Sequence, residues 1–218
     1  PATDLRSKPR NLAASTQTTR DTAPKWTGPR VVFPDPVPRP SAVGRLDSLL
    51  WPLSVQVGPG VDPRRAQEVL TAAEEALWQL EATGWTAGLG DGGQGGTAGR
   101  DLYLTHEAQR GAAAYLDATE PMWELDGARA FAVVDARVPA RRLAACVAQA
   151  LAESVLFELD PAESAGVRRS SAAYLSWLVT GDLGCDEEDR AALARADRAR
   201  TCDCNCGRGR HRPDARDD

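Results

Sequence analysis

The fold of this chain is decided by residues 130–159, which read AFAVVDARVPARRLAACVAQALAESVLFEL. The first five residues form a short continuous apolar run, which is typical of a strand in the middle of a sheet. After Pro139, apolar residues recur every four positions, at Leu143, Val147, Leu151 and Val155. This spacing predicts a long helix that ends at Asp160-Pro161. A buried strand followed by a long helix predicts a domain that mixes both kinds of element.

A strand and a helix are also predicted upstream of this stretch. Residues 53–57 alternate apolar and polar side chains, which is the period of a half-buried strand. Asp62 before Pro63 is typical of a helix start, since the carboxylate caps the first turn and proline has no amide hydrogen to satisfy. One apolar stripe follows and ends before Gly84, made of Ala66, Val69, Leu70, Ala73, Leu77 and Leu80.

Shorter segments complete the expected domain. Strands are predicted near 102–104 and 113–116, and a second long helix over 165–180, with Val167, Ala172, Leu175, Leu178 and Val179 facing inward. We therefore expect an α+β domain over 46–181, in which a small mixed or antiparallel sheet packs against two or three long helices.

The two ends of the chain differ in composition from this domain. Residues 1–45 hold eight Lys or Arg against three Asp, a net +5, and carry eight of the 15 prolines. Alternating prolines favour extended backbone, so we expect a disordered or extended tether. The alternative is a basic arm that binds nucleic acid, which five net charges without interleaved aromatic residues argue against. Residues 46–180 are net −8 and residues 181–218 net −2, which gives the total of −5. Over 182–218 we expect a polar helix at 186–200 and then a disordered tail.

Composition and charge exclude several classes of protein. The chain is 42% hydrophobic and 26% charged, which is ordinary for a globular protein and unlike a collagen or a coiled coil. Its net negative charge argues against a nucleic-acid partner. No apolar run reaches the roughly 18 residues of a membrane span. The chain begins with Pro1 and shows no charged-then-apolar leader, so we expect a processed product or a fragment.

A glycine-rich loop follows the first helix, at residues 88–96 (GLGDGGQGG). It contains a Gly-x-Gly-x-x-Gly pattern, which binds a dinucleotide phosphate when a strand precedes it and a helix follows. Here a helix precedes the loop and a strand follows it. We therefore expect a flexible or calcium-tolerant surface loop and no cofactor.

Read together, these segments resemble a known family. They are the helix running into Gly84-Trp85, the loop 91–96 (DGGQGG), the strand 100–104 (RDLYL) and the long helix after Val134-Asp135. This pattern resembles the secreted bacterial metalloproteases of the zincin class, over about 46–181. The resemblance implies a zincin-like fold, secretion or attachment to the cell envelope, and a zinc ion bound by the long helix through His-Glu-x-x-His.

The residues that matter for zinc depart from the family pattern. Gln149 stands at the first histidine position, Ala150 at the catalytic glutamate and Glu153 at the second histidine. The third ligand, a glutamate of the next helix, corresponds to Arg169. Zinc needs at least three imidazole, thiolate or carboxylate ligands, and Glu153 is the only one of these residues that offers such a group. The set therefore predicts no metal in the core. We expect Gln149 and Glu153 to face a cleft beside the 165–180 helix.

The resulting expectation is a non-catalytic, metalloprotease-like exported domain that acts in binding or scaffolding, with a protein or peptide partner. Two alternatives stay open. One is a metal-dependent peptidase with unusual or missing ligands, and the other is a structural domain with a metal-binding cysteine tail.

The cysteines and histidines supply the remaining candidates. Helices joined by a short loop run antiparallel, so Cys146 and Cys185 can approach each other in an exported protein; the alternative is two free thiols. The tail residues Cys202, Cys204, Cys206 and His211 could bind zinc or copper(I), or belong to a disordered terminus. His106-Glu107 begins a His-Glu-x-x-His pattern that Arg110 breaks, and we interpret it as a solvated turn.

Overall fold

The structure is a computed structural model that describes residues 33–85, 93–121, 126–183 and 185. Its elements are, in chain order, β1 (Gly44–Asp47), β2 (Leu53–Val57), α1 (Pro63–Ala82), β3 (Arg100–Thr105), β4 (Ala112–Pro121), β5 (Asp126–Asp135), α2 (Leu143–Leu159) and α3 (Ala165–Thr180). The fold is therefore α+β, which confirms the class that the sequence predicts.

The five strands form one mixed sheet in the order β1-β2-β3-β5-β4. The inner strands β2, β3 and β5 are parallel, and β1 and β4 pair antiparallel at the two edges. The apolar run of β5 lies inside the sheet, with Val134 paired to Leu104 of β3 and to Ala112 of β4. The prediction that this run forms an inner strand is confirmed.

The main core lies between one face of this sheet and the helices α1 and α2. Alternate strand residues supply the sheet side, such as Val55, Leu102 and Val134, and all three are fully buried. Val69 of α1 and Val147 of α2 pack against them. Each such side chain contributes about 1.5 to 3 kcal/mol through the removal of apolar surface from water.

The predicted ends of the helices are close to those observed. The Asp62 carboxylate accepts the N–H of Arg64 at 2.9 Å, and Pro63 occupies the first turn of α1. Ser164 caps α3 in the same way. Helix α3 packs on α2, and the Ser176 hydroxyl donates to the carbonyl of Ala145 at 2.9 Å.

Strand β2 was predicted to be half-buried, and this is wrong, because all five of its residues are buried. The second face of the sheet is covered by chain that the sequence does not place there, namely residues 37–41 and the glycine-rich loop. The start of the domain also differs from the prediction at residue 46. Strand β1 begins at Gly44, and residues 33–43 belong to the same compact unit as the sheet.

Two other expectations for the chain have different outcomes. On α3, Val167 and Leu178 were predicted to face inward but are exposed, whereas Ala172 and Leu175 are buried. The polar helix predicted at 186–200 and the tail lie outside the described residues. Among the helices that the structure describes, none has the length and apolar character of a membrane span.

Candidate functional site

Gln149, at the first histidine position of the resembled family, lies in the middle of α2 and is 1% exposed. Its amide oxygen Oε1 accepts the backbone N–H of Cys185 at 2.5 Å. A buried amide without a partner would cost free energy, so this bond stabilises both groups. Gln149 therefore fixes the chain segment that follows α3.

The same segment is held by a disulfide between Cys146 and Cys185. Of the two alternatives that the sequence left open, the structure has the bonded pair. The guanidinium of Arg142 also donates to the carbonyl oxygen of Cys185. Three different contacts thus attach Cys185 to α2 and to Arg142, the residue just before it.

Glu153, at the second histidine position, is 4% exposed. Its Oε2 accepts the backbone N–H of Ala114 at 3.1 Å, and its Oε1 lies 3.6 Å from Nε of Arg168 on α3. The Arg168 guanidinium also stacks over the ring of Phe157, 3.8 Å from its centre. Burial raises the pKa of the Glu153 carboxyl, while the Ala114 N–H and the charge of Arg168 act in the opposite direction.

These residues do not fit a zinc ion. The oxygens of Gln149 and Glu153 already accept hydrogen bonds from the chain itself, and Ala150 has no ligand atom. Arg169, at the third ligand position, is an exposed cation on α3. Within the described ranges, no three His, Cys, Asp or Glu side chains form a group of the kind that holds a metal ion.

The prediction that Gln149 and Glu153 face a cleft is wrong, because both side chains are buried and hold the chain's own backbone. The prediction that the 165–180 helix lies beside this face of α2 is correct, since Arg168 of α3 contacts Glu153. The other acid of α2, Glu158, accepts from Arg100 of β3 at 2.9 Å. This face of α2 is therefore structural.

Asp101, from the strand motif 100–104, and the described part of the glycine-rich loop lie on the opposite face of the sheet. Asp101 of β3 has a fully buried side chain. Its Oδ1 accepts from Ser54 Oγ at 2.5 Å and from Gln56 Nε2 at 3.0 Å, both on β2. These polar residues alternate with the apolar core residues of β2 and so point to this second face.

The glycine-rich loop lies directly over Asp101. The carbonyl of Gly95 accepts from Gln56 Nε2 at 3.1 Å, and the Thr97 hydroxyl lies 3.4 Å from the Asp101 carboxylate. A Cβ atom on Gly95 would meet Asp101, so only glycine fits at this point. The described part of the loop is exposed at the surface, as expected, and it is anchored through the carbonyls of Gln94, Gly95 and Gly96; residues 88–92 lie outside the described residues.

Arg39 completes this cluster. It lies in residues 33–43, the described part of the N-terminal region that is rich in proline, which we call the proline-rich segment. Its guanidinium donates to Asp101 Oδ2 at 2.5 Å, to Asp117 Oδ2 at 2.7 Å and to the carbonyl of Gln94 at 3.1 Å. It also lies over the ring of Phe131, 5.2 Å from its centre. Burial opposes the charge, but the bonds to Asp117 and Tyr103 outweigh it and raise the pKa of Arg39.

The proline-rich segment therefore runs, extended, over the sheet face to the edge strand β4. There the N–H of Val37 donates to the carbonyl of Leu116 at 3.2 Å. Two neighbouring backbone groups on the outer edge of β4 are thus occupied, the Leu116 carbonyl by Val37 and the Ala114 N–H by Glu153. Groups of this kind on an edge strand otherwise pair with a further strand.

A groove of about 420 Å³ lies between this segment and the connection from β3 to β4. Its floor is formed by apolar and aromatic residues of the sheet, Tyr115, Phe131 and Val133. Val37, Pro38, Arg39, Pro40 and Ser41 line one wall, and Thr105, Glu107, Ala108 and Gln109 the other. Its size and mainly apolar lining are those of a binding site.

The residues of this groove were missed by sequence reasoning. Ser54 and Gln56 alternate with apolar residues, which predicts a face open to water, so no local signal marked this face as covered. His106 was interpreted as part of a solvated turn, which is confirmed: it is exposed in the turn after β3. The tail candidates Cys202, Cys204, Cys206 and His211 lie outside the described residues.

Comparison of the chain with protein-family models, with curated proteins and with solved structures gives no match.

Proposed function

We propose that this chain is a non-catalytic, metalloprotease-like exported domain that binds an extended peptide in the groove between its proline-rich segment and the sheet. The observation that carries the proposal is the use of Gln149 and Glu153 as internal hydrogen-bond acceptors. In this chain, the residues at the positions where zincins bind zinc stabilise the fold. The groove described above lies on the other face of the sheet.

The disulfide between Cys146 and Cys185 supports export, because such bonds persist in oxidising compartments and are rare in the cytosol. The resemblance to secreted zincins over 46–181 points to the same location. A single disulfide in a domain with a large core acts as reinforcement and is consistent with secretion or attachment to the cell envelope.

An extended peptide is the ligand class that the groove favours. Its aromatic floor is that of grooves that bind extended, proline-containing chains. The segment around Val37 already binds in this manner, through a backbone hydrogen bond to Leu116. A ligand peptide would lie beside it, against Tyr115 and Ala108.

The absence of catalysis is tested by metal analysis and by peptide cleavage. The full chain and its Cys202→Ser/Cys204→Ser/Cys206→Ser variant are loaded with zinc, dialysed and analysed, and both are assayed on a peptide library with and without chelator. We expect no cleavage in either. Metal in both with chelator-sensitive cleavage would establish the peptidase, and metal in the full chain alone would establish a metal-binding tail.

Binding is tested with synthetic eight-residue peptides that carry proline at alternate apolar positions. Ala108→Trp fills the groove, whereas Thr71→Trp adds the same side chain at an exposed site on α1. We expect NMR shift changes of Tyr115 and Val133 on peptide addition, lost in Ala108→Trp and kept in Thr71→Trp. Equal responses in both variants would contradict the proposed site.

A further inference from the structure

Helix α3 exposes large apolar side chains along one face. Val167 is 52% exposed, Tyr174 57% and Leu178 45%, and the neighbouring Trp177 is 44% exposed. Single exposed apolar residues are common on protein surfaces, but a contiguous patch marks a surface that another chain covers.

A groove of about 380 Å³ runs beside this face. Trp85, after α1, and Leu156 of α2 form one side, and Ser171 and Tyr174 of α3 form the other. Ser171 is the smallest side chain along this face of α3, so the helix surface is recessed at that point. The recess is shaped to receive a bulky side chain.

The spacing of this row is self-complementary. Val167, Ser171, Tyr174 and Leu178 are separated by four, three and four residues, which places them on one stripe of the helix. In an antiparallel pair of α3 helices related by a two-fold axis, Val167 therefore lies opposite Leu178 of a second copy. Ser171 lies opposite Tyr174 of that copy by the same symmetry.

We infer that α3 is the surface through which two copies of this chain form a two-fold dimer. The Tyr174 ring of each copy enters the recess at Ser171 of the other, where Trp85 and Leu156 surround it. Large side chains thus meet small ones at both symmetric positions. A two-fold contact uses the same patch on both subunits, as this row requires.

The exposed area of the patch limits the size of the contact between the two copies. With roughly 150 to 250 Å² for each large side chain, the exposed fractions give about 400 Å² per copy, or about 800 Å² for the pair before the polar rim is counted. Specific interfaces bury roughly 1,000 to 1,200 Å² or more, so this contact is smaller than a standard interface and we expect a weak, concentration-dependent dimer. It leaves the peptide groove free, because α3 packs on the helix side of the sheet and the groove lies on the other side.

Sedimentation equilibrium of the full chain at several concentrations tests this inference. All samples carry Cys202→Ser, Cys204→Ser and Cys206→Ser, so that no tail disulfide joins two copies. We expect a reversible dimer with a dissociation constant in the micromolar range. Tyr174→Glu places a charge at both symmetric positions and should raise that constant at least about tenfold.

Trp78→Glu is the matched control, since Trp78 is an aromatic residue of α1 with a comparable exposure of 56%. It should leave the dimer unchanged, and Ser171→Trp, which fills the recess, should weaken it as Tyr174→Glu does. The inference is overturned if the chain stays monomeric at about 100 μM. A monomer whose own residues 186–218 cover α3 would be one form of that result. A dimer weakened equally by Trp78→Glu and Tyr174→Glu also overturns it.

Discussion

A Cβ atom placed on Gly95 would lie 1.8 Å from Oδ2 of Asp101, which is far inside van der Waals contact. The backbone of Gly95 also has a φ of 84°, in the region that favours glycine. Asp101 cannot move aside easily, because hydrogen bonds from Ser54, Gln56 and Arg39 fix its carboxylate. The glycine-rich motif therefore has a structural role, which is to bring the loop down onto this buried acid.

Replacement of this glycine is the first test. Gly95→Ala should lower the free energy of unfolding by about 3 kcal/mol or more, since it adds backbone strain and displaces the Asp101 carboxylate. Urea unfolding measures the change. Gly93→Ala is the control, because Gly93 also has a positive φ but nothing lies within 4 Å of an added Cβ. It should cost only about 1 to 2 kcal/mol, and equal effects would contradict the packing argument.

The ion pair between Arg39 and Asp101 gives a second prediction. Asp101→Asn removes the charge of Asp101 while Arg39 keeps Asp117 as a partner, so stability should fall by about 1.5 to 3 kcal/mol through weakened charged hydrogen bonds. Glu68→Gln is the comparison, because it breaks the exposed pair with Arg65 and should change stability by less than about 1 kcal/mol. Thermal and urea unfolding of both variants check this; a small loss for Asp101→Asn would show that the pair is not essential to the sheet face.

Glu153 gives a prediction for pH. Burial raises the pKa of this carboxyl in the folded state, so the folded protein binds its proton more tightly than the unfolded chain does. The stabilising contribution of that proton is complete below the ordinary pKa of glutamate and is lost as pH rises through the raised value. Wild type should therefore gain stability relative to Glu153→Gln as pH falls toward about 4.5.

Urea unfolding of wild type and Glu153→Gln across this range measures the gain. Glutamine keeps an acceptor for the Ala114 N–H but cannot titrate, so the difference between the two proteins isolates the proton. A difference that does not change with pH would contradict the raised pKa.

The disulfide between Cys146 and Cys185 closes a segment with a sequence separation of 39. By the loop-closure estimate, its removal in Cys146→Ala/Cys185→Ala should cost about 4 kcal/mol. Unfolding curves with and without dithiothreitol check this. Reductant should destabilise wild type and leave the double variant unchanged, and an equal response of both would show that the bond does not stabilise the fold.

The sequence alone predicted much of the fold. The periodicity of Leu143, Val147 and Leu151, the Asp62-Pro63 start and the apolar run of β5 depend on local spacing, which a single chain displays directly. Strand β1 was missed, because Gly44–Asp47 is short, mostly polar and becomes a strand only by pairing with β2.

The candidate site was predicted poorly, because its parts are far apart in the chain. Nothing near Arg39 in sequence indicates that it will meet Asp101 and Asp117, which are 62 and 78 residues away. Likewise, the resemblance to zincins drew attention to Gln149 and Glu153, but the sequence did not show that they bind the backbone groups of Cys185 and Ala114.

The sequence by itself determined the helices and the inner strands, since these follow from residue type and spacing within one segment. Only the tertiary structure decided which face of the sheet stays accessible. The helices α1 and α2 cover one side, where Gln149 and Glu153 are buried, and the other side keeps a groove beside the proline-rich segment. The physical reason is that burial and hydrogen-bond partners depend on which distant segments meet, and that is fixed only when the whole chain packs.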